Sequence, residues 1–392
     1  MKIPIVIAMA ASLAGSAYAE SGAMERTSPV RVEDAALAVR FNGDYVKSYY
    51  RLFDARSAEE RARDARERRL AGSLAVFFHG HARRPDDADQ FMTEFARRSK
   101  SGIIVAVVCD TPYGGDPAWR GDTGKEVVLM ETVRHALVRR GMSIHSYVPI
   151  SGRMLTIDGE PAPGAADEKA IPVSLLAVGY SHGGILARRI ASKYPSSVSG
   201  LAHISPAGYV KWGDNSLYSA SCLAANFTWE SLRIGTGYFT GKGSHINRAA
   251  WGVTRGFTGD CLRSYGSCLM GDPNPMRTTR VLHDIRDCTD YLDDTSAPVP
   301  RIGSITVIFG EDDTLFEYRN MGIRDPGNIT RAEADRFWEK YYPASAKNGA
   351  RRTLRVLPGN HIGLQLHHRS YVETILRGSA ELREDAPSIS AR

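Results

Sequence analysis

The sequence predicts an α/β fold: a mostly parallel sheet flanked by helices, interrupted by an inserted cap. Three observations predict it. Short apolar runs alternate with amphipathic stretches from Leu74 onward, most of those runs are continuously apolar or β-branched, and one long segment between Tyr209 and Pro300 breaks the rhythm. A strand covered on both faces has no solvent side to decorate with polar residues. Continuous runs therefore belong to a sheet held between two layers of helix.

The chain opens on a targeting pattern. Lys2 gives a short positive start, residues 3–15 form an apolar run too short to span a bilayer with ease, and Ala17-Tyr18-Ala19 fits the small-x-small site of signal peptidase. Residues 1–19 are expected to be a signal peptide cleaved before Glu20, with a retained membrane anchor as the other reading. Export, to the periplasm or outside the cell, is the expected localisation. Residues 30–70 read as helical and charged, with no convincing strand.

Strands are then predicted at 74–78 (LAVFF), 103–108 (IIVAVV), 173–178 (VSLLAV), 200–204 (GLAHI), 305–309 (ITVIF) and 353–357 (TLRVL), and helices at 86–99, 124–140, 183–194, 332–341 and 370–376. Residues 143–172 read as a hairpin turning at Asp158-Gly159, followed by a Pro- and Gly-rich loop. The α/β core is assigned to 20–208 and 301–380, the cap to 209–300 and a loose tail to 381–392.

Composition excludes several function classes. Hydrophobic content of 43% and charged content of 24% are those of an ordinary soluble globular protein. The net charge of +6 is spread along the chain, and even the arginine-rich run at 61–69 (RARDARERR) interleaves acids, which makes a solvated helix face. Nucleic-acid binding is not expected, and only a modest affinity for anionic surfaces is left open. After the leader no segment reaches 18 apolar residues, so no stable membrane span is expected once it is removed. Nothing in the sequence speaks to oligomeric state.

In an exported chain the clustered Cys222, Cys261, Cys268 and Cys288 are candidate disulfide partners. Three connectivities are open, and the nested one, Cys222–Cys288 outside Cys261–Cys268, is preferred. Zinc is the other reading, but it would call for a CxxC pair or nearby histidines, which the cluster lacks. Cys109 lies alone in an apolar run and reads as an inert buried thiol.

The chemistry begins at Gly179-Tyr180-Ser181-His182-Gly183, a G-x-S-x-G pattern with an apolar strand running into it and a small-residue helix (GGILA) running out. Turning that tightly from strand to helix requires glycine at the flanking positions. The turn lifts the Ser181 hydroxyl above the sheet's C-terminal edge, while the helix N-terminus favours developing negative charge. An idle serine in a Gly-rich turn is the plain alternative. A serine hydroxyl needs a base, and His361 follows a strand through Pro358-Gly359-Asn360, at the same edge. His367 and His368 fall where a helix begins and rank lower. The base needs a carboxylate: Asp313 is chosen from Gly310-Glu311-Asp312-Asp313, ahead of Asp312 and then Glu311, and capping of the next helix is the competing role. The backbone N–H groups of His81 and His182 are the candidate oxyanion donors. His79 and His81 with Asp86 and Asp87 invite a binuclear metal reading, but Ala82-Arg83-Arg84-Pro85 stands where the remaining ligands should fall, so no metal and no cofactor is expected.

On His79-Gly80, the elbow from Gly179 to Gly183, the Gly-x-x-Asp ending at Asp313 and the Pro-Gly-Asn-His ending at His361, the sequence resembles the α/β-hydrolase superfamily over about 72–208 and 300–378. The run Val107-Val108-Cys109-Asp110 to Gly114-Gly115 resembles the loop after that family's fourth strand. The resemblance implies an acyl-enzyme mechanism on Ser181 and a cap over the acyl pocket. Two features depart from it: the family's first two strands are not evident before Leu74, and 48 residues separate Asp313 from His361. The expected function is an exported serine hydrolase that cleaves a small-molecule carboxylic ester. A peptidase, an acyltransferase or a non-catalytic binding protein of the same fold are the alternatives.

Overall fold

The structure, a computed structural model, describes residues 29–41, 44–80, 88–108, 125–147, 156–157, 160–161, 170–209, 222, 225–226, 229, 298–299 and 301–382. The leader, His81, Asp86, Asp87, Cys109, Cys261, Cys268, Cys288, nearly all of the cap and the tail after Leu382 lie outside these residues.

A large sheet organises the described chain. Its strands, in chain order, are β1 (Arg31–Phe41), β2 (Asp44–Asp54), β3 (Leu74–Phe78), β4 (Ile103–Val108), β6 (Thr156–Ile157), β7 (Glu160–Pro161), β9 (Leu175–Tyr180), β10 (Val198–Ile204), β11 (Ser304–Gly310) and β12 (Arg351–Leu357). In space the order is β12-β11-β10-β9-β3-β4-β2-β1-β6-β7. The six strands from β12 to β4 are parallel, whereas β2 runs antiparallel to both β4 and β1. A separate two-stranded parallel sheet pairs β5 (Met142–Ile144) with β8 (Ile171–Val173).

The helices are α1 (Ala58–Glu67), α2 (Asp89–Arg98), α3 (Lys125–Val138), α4 (His182–Lys193), α5 (Arg331–Tyr341), α6 (Pro343–Lys347), α7 (Gly363–Leu366) and α8 (His368–Ser379). Strand periodicity of two explains how they are placed. On β3, Leu74, Val76 and Phe78 join the core under α3, α4 and α5, while Ala75 and Phe77 join the core under α2 and α8. Both faces are covered, which is why this strand reads as continuously apolar.

The antiparallel edge corrects the sequence reading. Among the described residues, 30–70 hold one helix, α1, and before it the β1–β2 hairpin, so two strands precede Leu74. Phe41 pairs with Asp44, which leaves Asn42 and Gly43 between the strands. That dipeptide is the strongest short-range hairpin signal. The strands alternate instead of running apolar: Leu37, Val39, Tyr50 and Leu52 face the core, while Arg51 on the other face reaches Asp89 at 2.9 Å. A hairpin with one apolar face and one face where charges such as Arg51 stand beside the buried Phe53 carries a mixed composition, and that composition reads as helix.

Two smaller differences and one agreement follow. The single strand expected at 173–178 changes partners at Ser174: the Val173 carbonyl accepts from His145, just past β5 of the small sheet, and the Ser174 carbonyl accepts from Leu74 in the large one. The hairpin around Asp158-Gly159 forms, pairing Thr156 with Pro161, and adds to the sheet edge beside β1. Cys222 is half-buried and a free thiol, so the preferred Cys222–Cys288 bridge is not formed. Where the cap begins, Tyr209 is buried, with its hydroxyl on His203 Nδ1 at 2.7 Å and its carbonyl accepting from Tyr341 Oη at 3.0 Å. Among the described residues no helix is long and apolar enough to cross a membrane.

Candidate active site

The chain leaves β3 towards β4 on one side, and returns through β9 to β10, β11 and β12 on the other. The crevice between β3 and β9 is the switch point where open α/β sheets bind ligands. Ser181 stands at that crevice, between the end of β9 and the start of α4, with φ 54° and ψ −123°. A non-glycine residue rarely adopts this region, which costs on the order of 1–3 kcal/mol and persists only where the surroundings impose it. The surroundings are specific. Ser181 N donates to Ile204 O at 3.0 Å, and Ser181 O accepts from Ala207 N at 3.1 Å and Gly184 N at 2.9 Å. A Cβ on Gly179 would collide with the Gly183 carbonyl, and one on Gly183 with the carbonyls of Phe78 and His79.

His361 lies in the turn between β12 and α7, and Asp313 in the turn after β11. Parallel pairing of β11 with β12, Gly310 opposite Leu357, brings these two turns together although 48 residues separate them. His361 Nε2 is 3.1 Å from Ser181 Oγ, and His361 Nδ1 is 3.0 Å from Asp313 Oδ2. Asp313 Oδ1 accepts from the backbone N–H groups of Leu315 at 2.9 Å and Phe316 at 3.1 Å. Those two bonds fix the carboxylate plane and leave Oδ2 for the imidazole. Exposure falls along the chain of groups, from 8% at Ser181 through 6% at His361 to 2% at Asp313. The hydroxyl thus borders the crevice while the carboxylate lies beneath it.

The three residues singled out from sequence are therefore brought into one hydrogen-bonded line. Asp312 is held differently, its N–H donating to Gly359 O at 3.0 Å. His368 opens α8 and His367 is its N-cap, as their position in the sequence indicated. His182 is the first residue of α4, directly after the serine, where helix N–H groups lack intrahelical acceptors. The other oxyanion candidate, His81, lies outside the described residues. The buried His203, one strand away, is pushed down to about 3 by burial and then by the Arg188 charge; it is a neutral partner of Tyr209 and Tyr342. Among the described residues no group of three or more His, Cys, Asp or Glu is placed to hold a metal ion.

Two contributors went unread in the sequence. Phe316 supplies an N–H to Asp313 and sets its ring 5.4 Å from the imidazole. Tyr180 occupies the variable position of the G-x-S-x-G pattern, and its hydroxyl donates to the His361 carbonyl at 2.8 Å. An aromatic residue with a polar tip beside the serine was the available signal for the second; the first had none, because a backbone donor carries no side-chain signature.

No family model matches the sequence, and no curated protein matches it. Solved structures do. A 2-hydroxy-6-oxo-6-phenylhexa-2,4-dienoate hydrolase from Rhodococcus sp. strain RHA1 is similar over 89% of this chain and 99% of its own, with a TM-score of 0.51 and 10% identity. A thermophilic esterase matches 89% of this chain and 99% of its own at a TM-score of 0.47 and 13% identity. A hydrolase from Pseudomonas aeruginosa PA01 matches 87% of this chain and 97% of its own at 0.48 and 14%. At such identities the first of these shows a shared fold, and the other two add no weight to it.

Proposed function

Starting from the α/β-hydrolase fold of this chain, we propose that it is a serine hydrolase that cleaves carboxylic esters through an acyl-enzyme on Ser181. Fold by itself does not choose the chemistry. The observation that carries the reading is the continuous line Ser181 Oγ–His361 Nε2, His361 Nδ1–Asp313 Oδ2, built on a strained residue at a helix N-terminus. A binding protein has no use for a strained serine in register with an imidazole and a buried carboxylate.

In this mechanism Ser181 Oγ attacks the substrate carbonyl carbon as its proton passes to His361 Nε2. Asp313, already saturated on one oxygen by two backbone N–H groups, holds the Nδ1–H tautomer and stabilises the imidazolium. The oxyanion faces the N-terminal end of α4, where the N–H of His182 is one donor; His81 is proposed as the second. The alcohol departs with the proton from His361. Water then attacks the acyl-enzyme, giving its proton to the same nitrogen, and the acid is released as Ser181 recovers its hydrogen. We place the protein outside the cytoplasm, on the leader pattern of residues 1–19, and expect the mature chain to begin at Glu20.

A fluorophosphonate probe should label the wild-type protein on Ser181, and Ser181→Ala should lose both labelling and hydrolysis of p-nitrophenyl esters. An unlabelled wild-type protein would overturn the reading. Ester, aminoacyl and peptide substrates run side by side separate the ester hydrolase from a peptidase or acyltransferase.

A further inference from the structure

We propose that Tyr180 is a positioning residue that sets the distance between the nucleophile and its base; the inference rests on the serine-hydrolase reading above. The His361 turn is held at several points. Asp312 N donates to Gly359 O at 3.0 Å, Gly363 N to Asn360 O at 2.8 Å, and Ile362 N to the Asn360 side chain at 3.1 Å. These bonds fix residues 359, 360, 362 and 363. At residue 361 the side chain meets Asp313 and Ser181, and the backbone carbonyl accepts from Tyr180 Oη at 2.8 Å, with the Tyr180 ring 5.2 Å from the imidazole, inclined by 33°.

Tyr180 is also the residue before Ser181. Its Cα is one peptide unit, about 3.8 Å, from the nucleophile's Cα. Its side chain is buried in the core under α2 and α8 with Phe77, Phe91 and Leu364, and the ring has only two rotatable bonds. One rigid strut therefore spans from the strained elbow to the backbone of the base. A base must come within about 2.6–3.2 Å of the proton it takes, and 1 Å of misplacement costs roughly 10²-fold. Filling this core needs only the ring. The hydroxyl serves the His361 carbonyl.

A second phenol gives an internal control. Tyr371 Oη lies 3.4 Å from the Pro358 carbonyl on the same turn, a long contact three residues from the imidazole. Burial and then the charge of Asp313 hold this phenol well above its ordinary value, so it is a neutral donor.

The test compares Tyr180→Phe and Tyr371→Phe with wild type on p-nitrophenyl acetate, with urea unfolding measured for each. Tyr180→Phe is expected to lower kcat about tenfold, to leave KM within about twofold, and to slow fluorophosphonate labelling by the same factor. Repeated in a His361→Ala background, it should change residual labelling less than about twofold, because the strut then has nothing to position. Tyr371→Phe should cost less than about threefold. Four results would overturn the proposal: an unchanged kcat, a rise in KM alone, a loss that persists without His361, or equal losses in both phenol variants, which would assign the effect to stability of the turn. If the wild-type protein is not labelled at all, the serine-hydrolase reading fails first, and the two failures are told apart.

Discussion

The two ends of the sheet are built by different physics. From β9 to β11 the strands are parallel and buried on both faces, and with the parallel edge strand β12 they lead into the turns that carry Ser181, Asp313 and His361. At the other end the β1–β2 hairpin is antiparallel, apolar on one face and mixed on the other, where Arg51 stands beside the buried Phe53, and tied down by buried charge. Arg56 binds Asp54 through two nitrogens at 2.9 Å and Asp64 at 3.0 Å, and Arg140 reaches both Asp54 at 3.6 Å and Glu33. That cluster links the hairpin to α1 and to the residues after α3. The first end gathers the hydroxyl, imidazole and carboxylate of the proposed site; the second end pairs its charges with each other.

The sharpest way to break this division is at the carboxylate. Asp313→Asn should lower kcat about 10³- to 10⁴-fold through loss of the correct imidazole tautomer, while Asp312→Asn should change it less than about threefold. Steady-state kinetics on a p-nitrophenyl ester distinguish the two, and the reverse result would move the acid one residue back. Next in size is the hairpin cluster. Arg56→Ala strands Asp54 and Asp64 without their shared cation and should destabilise by about 3–5 kcal/mol in urea unfolding. The kcat of the folded protein should stay within about twofold. A large loss of kcat at unchanged stability would show that the hairpin end also serves the chemistry.

Smaller again is Gly183→Ala. Its Cβ would meet the backbone carbonyls of Phe78, at the end of β3, and His79, just after it, which cannot swing aside as a side chain can. A cost of about 1–3 kcal/mol or more in unfolding is expected, together with slower probe labelling as the elbow opens. The last prediction concerns acid. Burial alone would raise the Asp54 carboxyl, but the hydrogen bonds and charge of Arg56 outweigh it, so the net shift is downward. A carboxyl depressed in the folded state adds stability above its ordinary value near 3.9. That contribution is lost as pH falls through the lower, folded value. The difference in urea midpoint between wild type and Asp54→Asn should therefore narrow between pH 7 and pH 3; a constant difference would remove Asp54 from the account.

The same contrast explains what could be read in advance. Ser181 and its flanking glycines are a local steric solution, written within five consecutive residues. The turns holding Asp313 and His361 were legible because each directly follows a strand apolar enough to recognise. The hairpin at 31–54 was not, because Arg51 and Asp34 occupy its mixed face and mimic the charge pattern of a solvated helix; Asn42-Gly43 was the signal that composition obscured. Tyr180 was visible as a residue and invisible as a contact.

The sequence by itself determined the strand–helix rhythm of the core, the serine elbow and the candidate base and acid, since each depends on residues adjacent in the chain. Tertiary structure decided that Asp313 rather than Asp312 faces the imidazole, that the N-terminal segment pairs as a hairpin, and that the phenol of Tyr180 meets the carbonyl of His361. Each of those rests on groups brought together from distant or separately folded segments, and only the pairing of strands sets such distances.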